Sequence, residues 1–264
     1  MSEKVGFIGA GRMGSALMGG LLKAGMAPKN KVMVYDKDQG RLNAAKKLGI
    51  KTAKNNRDLV ANSEVIFIAV KPKDIKQLLD EIKEVSDGKL FVSIAAGVRI
   101  KKLEEKLKGR VIRVMPNTPC ILYEGASAFC LGKKATKKDS EKVKKILGSL
   151  GVVIQVREDL IDAVTGLSGS GPAYIYLVIK ALAEAGVKEG LEEKVALKLA
   201  AQTAKGAAEM VLKTGKTPQQ LIDDVCSPGG TTIEGIKVLE GKKVAEAFKQ
   251  AVKAAAKRSR ELSK

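Results

Sequence analysis

Seven short, β-rich apolar runs punctuate the first 156 residues of this chain, and none follows them. They span 5–8, 32–35, 65–70, 90–94, 111–115, 126–130 and 152–156, with helical stretches such as 14–24 and 39–48 between the early ones. Strands apolar on both faces, alternating with amphipathic helices, fit a mostly parallel sheet covered on each side. From about residue 157 the periodicity is helical, over 159–164, 173–185, 194–212, 218–225, 232–240 and 244–262. Two domains are therefore expected. Residues 1–157 form an α/β, doubly wound, mostly parallel sheet, and residues 158–264 form an all-helical unit. No fixed-period repeat or low-complexity linker separates them.

The first strand runs into "GFIGAGRMGSALMGGLL". Gly9, Gly11 and Gly14, with Arg12 and Met13 between them, give G-x-G-x-x-G between a strand and a helix, the context of a dinucleotide-binding turn. Gly9 permits the tight turn, and Gly11 lets a pyrophosphate approach the backbone. Gly14 lets the helix pack on the strand, while the helix N-terminus attracts the phosphates.

The second run is followed by Asp36, 22 residues after Gly14. An acid there accepts from adenosine ribose hydroxyls and favours NAD. Lys37 and Arg41 follow closely and are able to meet a 2′-phosphate, so NADH and NADPH both stay open. Three later strand ends carry small or kinked residues: "AVKP" (Ala69, Val70, Lys71, Pro72), "SIAAGV" with Ala95, Ala96 and Gly97, and "VMPNTP" with Asn117. Ligands of open α/β sheets bind at the carboxyl ends of strands, so these loops are candidates to complete a cofactor crevice.

Composition narrows the function. The chain has 264 residues, enough for two cores, and 45% of them are hydrophobic. No apolar run reaches the roughly 18 residues that span a bilayer. The N-terminus, "MSEKVGFIG", lacks the basic and apolar regions of a signal peptide, so the cytoplasm is the expected compartment. Net charge is +19, but the lysines are scattered in doublets and aromatics make up 3%. That is a solvated surface attractive to anionic small molecules, not a base-stacking platform, and no nucleic-acid partner is expected. Cys120, Cys130 and Cys226 are odd in number and widely spaced, suggesting neither a disulfide framework nor a metal site. Cys226 reads as an ordinary half-buried thiol. Histidine is absent, which excludes histidine-based dehydrogenases; any proton transfer needs another side chain, water or the substrate.

Two stretches of the helical half stand out. "VTGLSGSGPAYIYLVIKALAEAG" joins a Ser/Gly-rich turn to a helix apolar on most faces, with Pro172 in its first turn. Such a helix must be covered, and about 105 residues offer little to cover it, so a homodimer interface is expected. "SPGGTTIEG" breaks a helical region with Pro228, Gly229 and Gly230 and then supplies two hydroxyls. Threonine is a favoured N-cap, so capping is one reading. A helix N-terminus with bare glycine backbone also suits a carboxylate, with the hydroxyls reaching a neighbouring nitrogen. Both readings stand at this point.

Taken together, "GFIGAGRMGSAL", "AVKP", "SIAAGV", "VMPNTP", "VTGLSGSGPAYIY", "AAQTAKGAAEMV" and "SPGGTTIEGI" resemble, end to end and in order, the pyrroline-5-carboxylate reductase family. The resemblance implies a Rossmann domain followed by a helical dimerisation domain. The activity it implies is NAD(P)H-dependent reduction of 1-pyrroline-5-carboxylate, a cyclic imine carboxylate, to L-proline, the last step of proline biosynthesis. The active site of that family lies between one subunit's cofactor and the helical domains of the dimer, and rings of dimers occur.

Carried over by position, Thr232 hydrogen-bonds the ring nitrogen as the catalytic residue. Ser227, Gly230 and Thr231 hold the carboxylate, and Asn56, Ala69 to Pro72 and Ala95 to Gly97 line the cofactor. Two departures stand out. "TGKTPQQL" replaces an acidic and a histidine residue found in many members, and Asp36 replaces a small or hydroxyl residue.

A cyclic imine accepts hydride readily once its nitrogen is protonated, so orientation and charge stabilisation matter more than a strong acid. That fits a chain without histidine. The enzymatic alternatives are a broader imine reductase, or a β-hydroxyacid dehydrogenase using Lys180. The non-enzymatic alternative is a dinucleotide-sensing protein that keeps the fold without turnover.

Overall fold

The computed structural model describes residues 3–263. Met1, Ser2 and Lys264, the outermost residues of the two expected domains and the start of the N-terminal reading, lie outside them. The chain divides into two compact units. One comprises the residues up to Gly169 together with 255–264, and the other comprises 170–254.

In the first unit eight strands form one sheet: β1 Val5–Ile8, β2 Val32–Tyr35, β3 Lys51–Thr52, β4 Val65–Ile68, β5 Leu90–Ser93, β6 Arg110–Met115, β7 Gly125–Leu131 and β8 Gly151–Gln155. Their order is β3-β2-β1-β4-β5-β6-β7-β8. Every pair is parallel except β6 with β7. The extra strand beyond the seven expected is β3, an edge strand of two residues, too short to leave an apolar pattern.

Period-two alternation explains the unbroken apolar runs. In β4, Val65 and Phe67 enter one core, while Ile66 and Ile68 enter the other. The first core is closed by Leu17, Met18 and Leu21 of α1 (Arg12–Lys23), Leu42 and Ala45 of α2 (Gln39–Lys47), and Val143, Ile146 and Leu147 of α6 (Lys137–Gly148). The second is closed by Leu59 and Val60 of α3 (Asn56–Ala61), Leu78 and Leu79 of α4 (Ile75–Ile82), Ile100 and Leu103 of α5 (Ile100–Glu104), and Ile161 of α7 (Ile161–Val164). Phe7 and Phe67 stack across β1 and β4 with centroids 4.9 Å apart and are fully buried; such burial is worth about 1.5–3 kcal/mol per ring. The fold class is the expected doubly wound sheet followed by helices.

Strand signals end with β8, which is why the sequence divides near residue 157. The sheet unit nevertheless runs on through α7 and a wide π-type turn, Thr165–Gly169, because Asn117 Nδ2 donates to the Ser168 carbonyl at 3.1 Å.

The second unit holds α8 (Gly171–Lys188), α9 (Glu193–Thr214), α10 (Pro218–Val225), α11 (Thr231–Gly241) and the first part of α12 (Val244–Leu262), whose last turns belong to the sheet unit. Pro172 lies in the first turn of α8. α8 and α9 approach closely through small residues, Ala183, Ala196 and Ala200, with Gly186 against Ala196. The single chain leaves much of the apolar surface of α8 uncovered. Ile175, Tyr176 and Leu177 are 50%, 59% and 65% exposed, because the unit is too small to cover them.

Candidate active site

β1, β2, β4, β5 and β6 run parallel, so their carboxyl ends share one edge of the sheet. After β1 the chain goes to β2 on one side and later returns as β4 on the other, which opens a crevice at the tips of β1 and β4. Gly9 turns there with φ +100°, its N–H on the Tyr35 carbonyl at 2.8 Å. A Cβ at Gly9 would lie 2.6 Å from the Ala69 carbonyl oxygen, and one at Gly14 would collide with the Gly9 carbonyl. Glycine at both positions is a steric requirement. Gly11 is the N-cap of α1 with no side-chain cap, and the first turn holds no acid. The amides after it, from Arg12 onward, and the positive helix end therefore face the crevice mouth ready for an anion.

On the outer side of the tips is a cleft of about 380 Å³, lined by Gly9, Asp36, Lys37, Asn56, Ala69, Val70 and Lys71 among others. Asp36 is held firmly. Its Oδ2 accepts from Ala10 N at 2.7 Å and Arg41 Nη1 at 3.3 Å, and its Oδ1 accepts from Asp38 N at 2.9 Å. Burial opposes its charge, yet these hydrogen bonds and the guanidinium outweigh burial and hold the carboxyl below its ordinary value.

Two of the nearby cations are paired. Arg41 also lies 3.7 Å from Asp38, and Lys37 lies 3.6 Å from Asp74. Asn56 is 7% exposed and donates through Nδ2 to Glu81 Oε2 at 2.8 Å, while its buried Oδ1 has no partner. An orphan acceptor of this kind costs about 1–3 kcal/mol until a donor arrives. A ribose hydroxyl or an adenine amino group supplies one, so the outer cleft suits an adenosine moiety.

A second cleft of about 250 Å³ adjoins the first, for Ala69, Val70 and Lys71 line both. Its other walls are Met13, Pro72, Ile94, Ala95, Ala96, Met115 and Pro116. Small and apolar surfaces of this size accept a planar ring. Gly97, at φ +73°, ends the 95–97 turn. Asn117 lies outside both linings. Its Oδ1 accepts from Ala126 N at 2.9 Å and its Nδ2 holds the Ser168 carbonyl, so its amide pins β7 and the wide turn together. Met115 and Pro116 belong to the "VMPNTP" strand end singled out in the sequence, whereas Asp74 and Glu81 were not legible as site residues, since each reaches the outer cleft only through the packing of another element.

The helical unit carries the other candidate residues. Gly229 takes φ +70°, and the Gly230 N–H closes a turn on the Ser227 carbonyl at 3.0 Å. A Cβ at Gly230 would come within 2.5 Å of Ser227 Oγ. α11 begins at Thr231 with Gly230 as its N-cap, and no side chain caps it. The threonine cap, one of the two readings of this stretch, is therefore not formed, and the exposed Thr231 and Thr232 stand at an uncapped helix N-terminus. The amides of Thr231 and Thr232, the Ser227 hydroxyl and the two threonine hydroxyls together suit a small carboxylate with a neighbouring nitrogen.

The "TGKTPQQL" departure has a structural account. Thr217 and Gln220 form a capping box for α10 (Thr217 N to Gln220 Oε1 2.9 Å), and Lys216 pairs with Asp224 at 2.7 Å. Lys180 is 70% exposed and lies 3.7 Å from Glu184, a surface pair that offers no catalytic base. Cys120 and Cys130 are buried and Cys226 is partly exposed. Burial pushes the Cys130 thiol up to about 12, leaving it unreactive.

The crevice, its glycine turn and the paired clefts define a dinucleotide-dependent oxidoreductase with an added helical unit. Comparison with known proteins makes this specific. Residues 158–262 match the family model described as pyrroline-5-carboxylate reductase dimerisation, and residues 4–97 match that of NADP oxidoreductase, coenzyme F420-dependent. A pyrroline-5-carboxylate reductase of Methanosarcina acetivorans is 46% identical, the match covering 100% of this chain and 99% of that one. The solved pyrroline-5-carboxylate reductase of Coxiella burnetii superposes with a TM-score of 0.95 at 38% identity, covering 100% of both chains. That of Plasmodium falciparum, solved with NADP bound, gives 0.90 at 36%, covering 100% and 99%. The chain belongs to the pyrroline-5-carboxylate reductase family.

Proposed function

We infer that this protein reduces 1-pyrroline-5-carboxylate to L-proline with NAD(P)H, the closing step of proline biosynthesis. The observation that carries the reading is the uncapped N-terminus of α11 behind Ser227 and Gly230, in a chain whose relatives are named for this reaction. The substrate carboxylate is received by the Ser227 hydroxyl and the Thr231 and Thr232 amides, with Gly230 shaping the turn. Thr232 Oγ1 lies beside the ring nitrogen.

When bound, the cofactor supplies a hydride, two electrons with a proton, to the carbon of the C=N bond and leaves oxidised. The nitrogen takes a proton from solvent or arrives already protonated. Thr232, far too weak an acid to protonate it outright, orients the nitrogen and holds its N–H. The glycine turn and the α1 N-terminus receive the pyrophosphate, Asp36 and Asn56 the adenosine ribose, and the Ala69–Pro72 and Ala95–Gly97 loops the ring.

Self-association as a homodimer through the exposed apolar faces of α8 and α9 is part of the proposal, and a ring of dimers is the next level to test. The three free thiols suit a reducing compartment. The cytoplasm is therefore proposed. Among the described residues no helix is long and apolar enough to cross a membrane.

The test is oxidation of NADH and NADPH, followed optically, with 1-pyrroline-5-carboxylate as substrate. Turnover that needs both components supports the reading. No turnover with either cofactor, in protein that binds dinucleotide, would overturn it.

A further inference from the structure

The loop that walls the inner cleft begins at Ala95, which is packed in the core with its N–H on Ser93 Oγ at 3.4 Å, but Ala96 and Gly97 beyond it have no side chain able to anchor them. The outer part of the loop takes its position from what packs against it. The last turn of α12 does so at two points. At Gly97, whose φ is +73°, a Cβ would lie 3.2 Å from the Leu262 carbonyl oxygen, so the Leu262 backbone closes the space a side chain would need there. One turn earlier, Ser259 Oγ donates to Asp162 Oδ1 at 2.6 Å, with Ser259 6% and Asp162 3% exposed. The other carboxylate oxygen of Asp162 lies 3.6 Å from an Arg99 guanidinium nitrogen. Arg99 is the N-cap of α5, two residues beyond Gly97.

The loop is thus braced directly at Gly97 and, through Asp162, at Arg99, by two residues three apart on one helix. A buried carboxylate is held in place by its partners and holds them in turn. Loss of the Ser259 hydroxyl frees Asp162 to move, and Arg99 with it.

We propose that Ser259 and Leu262 are positioning residues for the cofactor ring. The C-terminal turn of α12 sets the spacing of the Ala95–Gly97 wall against the Ala69–Pro72 wall opposite. This rests on reading the paired clefts as the dinucleotide site. Neither residue touches the ring; both act through the loop.

The test uses two variants of the full protein, Ser259→Ala and a chain ended after Glu261. The second removes the Gly97 contact, a side chain that is already 63% exposed, and the Ser263 bonds to the Ser259 and Arg260 carbonyls, while leaving the Ser259 hydroxyl on Asp162, so it guards against failure of the first to fold. NADH binding is measured alongside ADP-ribose, which occupies the outer cleft but has no nicotinamide ring. NADH affinity is expected to fall about three- to tenfold, the worth of one or two hydrogen-bond-scale contacts, with ADP-ribose affinity unchanged. Equal weakening of both ligands would reduce the contacts to general stability and overturn the proposal. Unchanged NADH binding in both variants would overturn it as well. Wild-type protein that binds neither ligand would instead defeat the reading of the clefts themselves, and the proposal with it.

Discussion

Asp36 Oδ2 accepts a 2.7 Å hydrogen bond from the backbone N–H of Ala10, tying the tip of β2 to the glycine turn after β1. On the proposed dinucleotide reading, one carboxylate therefore shapes the glycine turn and places negative charge beside the adenosine ribose, where a 2′-phosphate would meet it. Two cations able to answer such a phosphate, Arg41 and Lys37, are already paired with acids. The protein is expected to prefer NADH over NADPH in kcat/KM. Asp36→Ser is expected to shift that ratio toward NADPH by about tenfold or more, because repulsion is removed and Arg41 is released. Steady-state kinetics with both cofactors checks this; a wild-type preference for NADPH would sink it.

Gly9→Ala tests the cradle. The φ of +100° and the nearby Ala69 carbonyl leave no room for a Cβ. The substitution is expected to cost about 1–3 kcal/mol and to abolish measurable cofactor binding. Thermal unfolding with and without NADH separates the two effects.

Thr232→Ala leaves an exposed helix start whose cap is a glycine, so the melting temperature should stay where it is. Turnover is expected to fall strongly. Kinetics equal to wild type would remove Thr232 from the reaction.

Leu177, 65% exposed on α8, belongs to the face assigned to self-association. Leu177→Lys is expected to shift the mass toward monomer, read by sedimentation, because a charge in an apolar contact is costly. An unchanged oligomer would move the interface elsewhere.

Asp139 gives a pH prediction. Burial opposes its charge, but hydrogen bonds from the Thr136 N–H and hydroxyl, followed by the Arg110 guanidinium, outweigh burial and lower it from the ordinary 3.8. A lowered folded value means its charged form stabilises the fold fully above pH 3.8, and that this contribution disappears as pH falls through the folded value. Asp139→Asn is expected to lower stability by about 1–3 kcal/mol near neutrality, through the cap and the Arg110 pair. The gap from wild type should narrow below pH 3.8. A gap that persists into acid would place the effect elsewhere.

Legibility followed the range of the forces. Gly9, Gly11 and Gly14 were readable because a tight turn and a close approach leave their mark within six residues. The strands of the doubly wound sheet were readable because burial on both faces demands unbroken apolar runs. β3 was not, having two residues and one neighbour. At α11 the local rule misled: threonine is a good cap, but Gly230 takes the cap position and leaves the hydroxyls of Thr231 and Thr232 free. Asn117 looked like a cleft residue because it follows a strand, yet its amide joins Ala126 to Ser168, 9 and 51 residues away.

The sequence by itself determined the strand-and-helix alternation, the division into sheet and helical halves, and the glycine turn, because periodicity and backbone sterics act locally. It also determined membership of the family, through motifs kept in order along the whole chain. Only the tertiary structure decided that Asp36 is bound to Ala10 and Arg41, that Asn56 carries an unanswered acceptor, and that Ser259 and Leu262 brace the Ala95–Gly97 loop. These depend on which side chains of distant segments meet at the edge of one sheet, and that is fixed by packing across the two cores, not by any residue's neighbours in the chain.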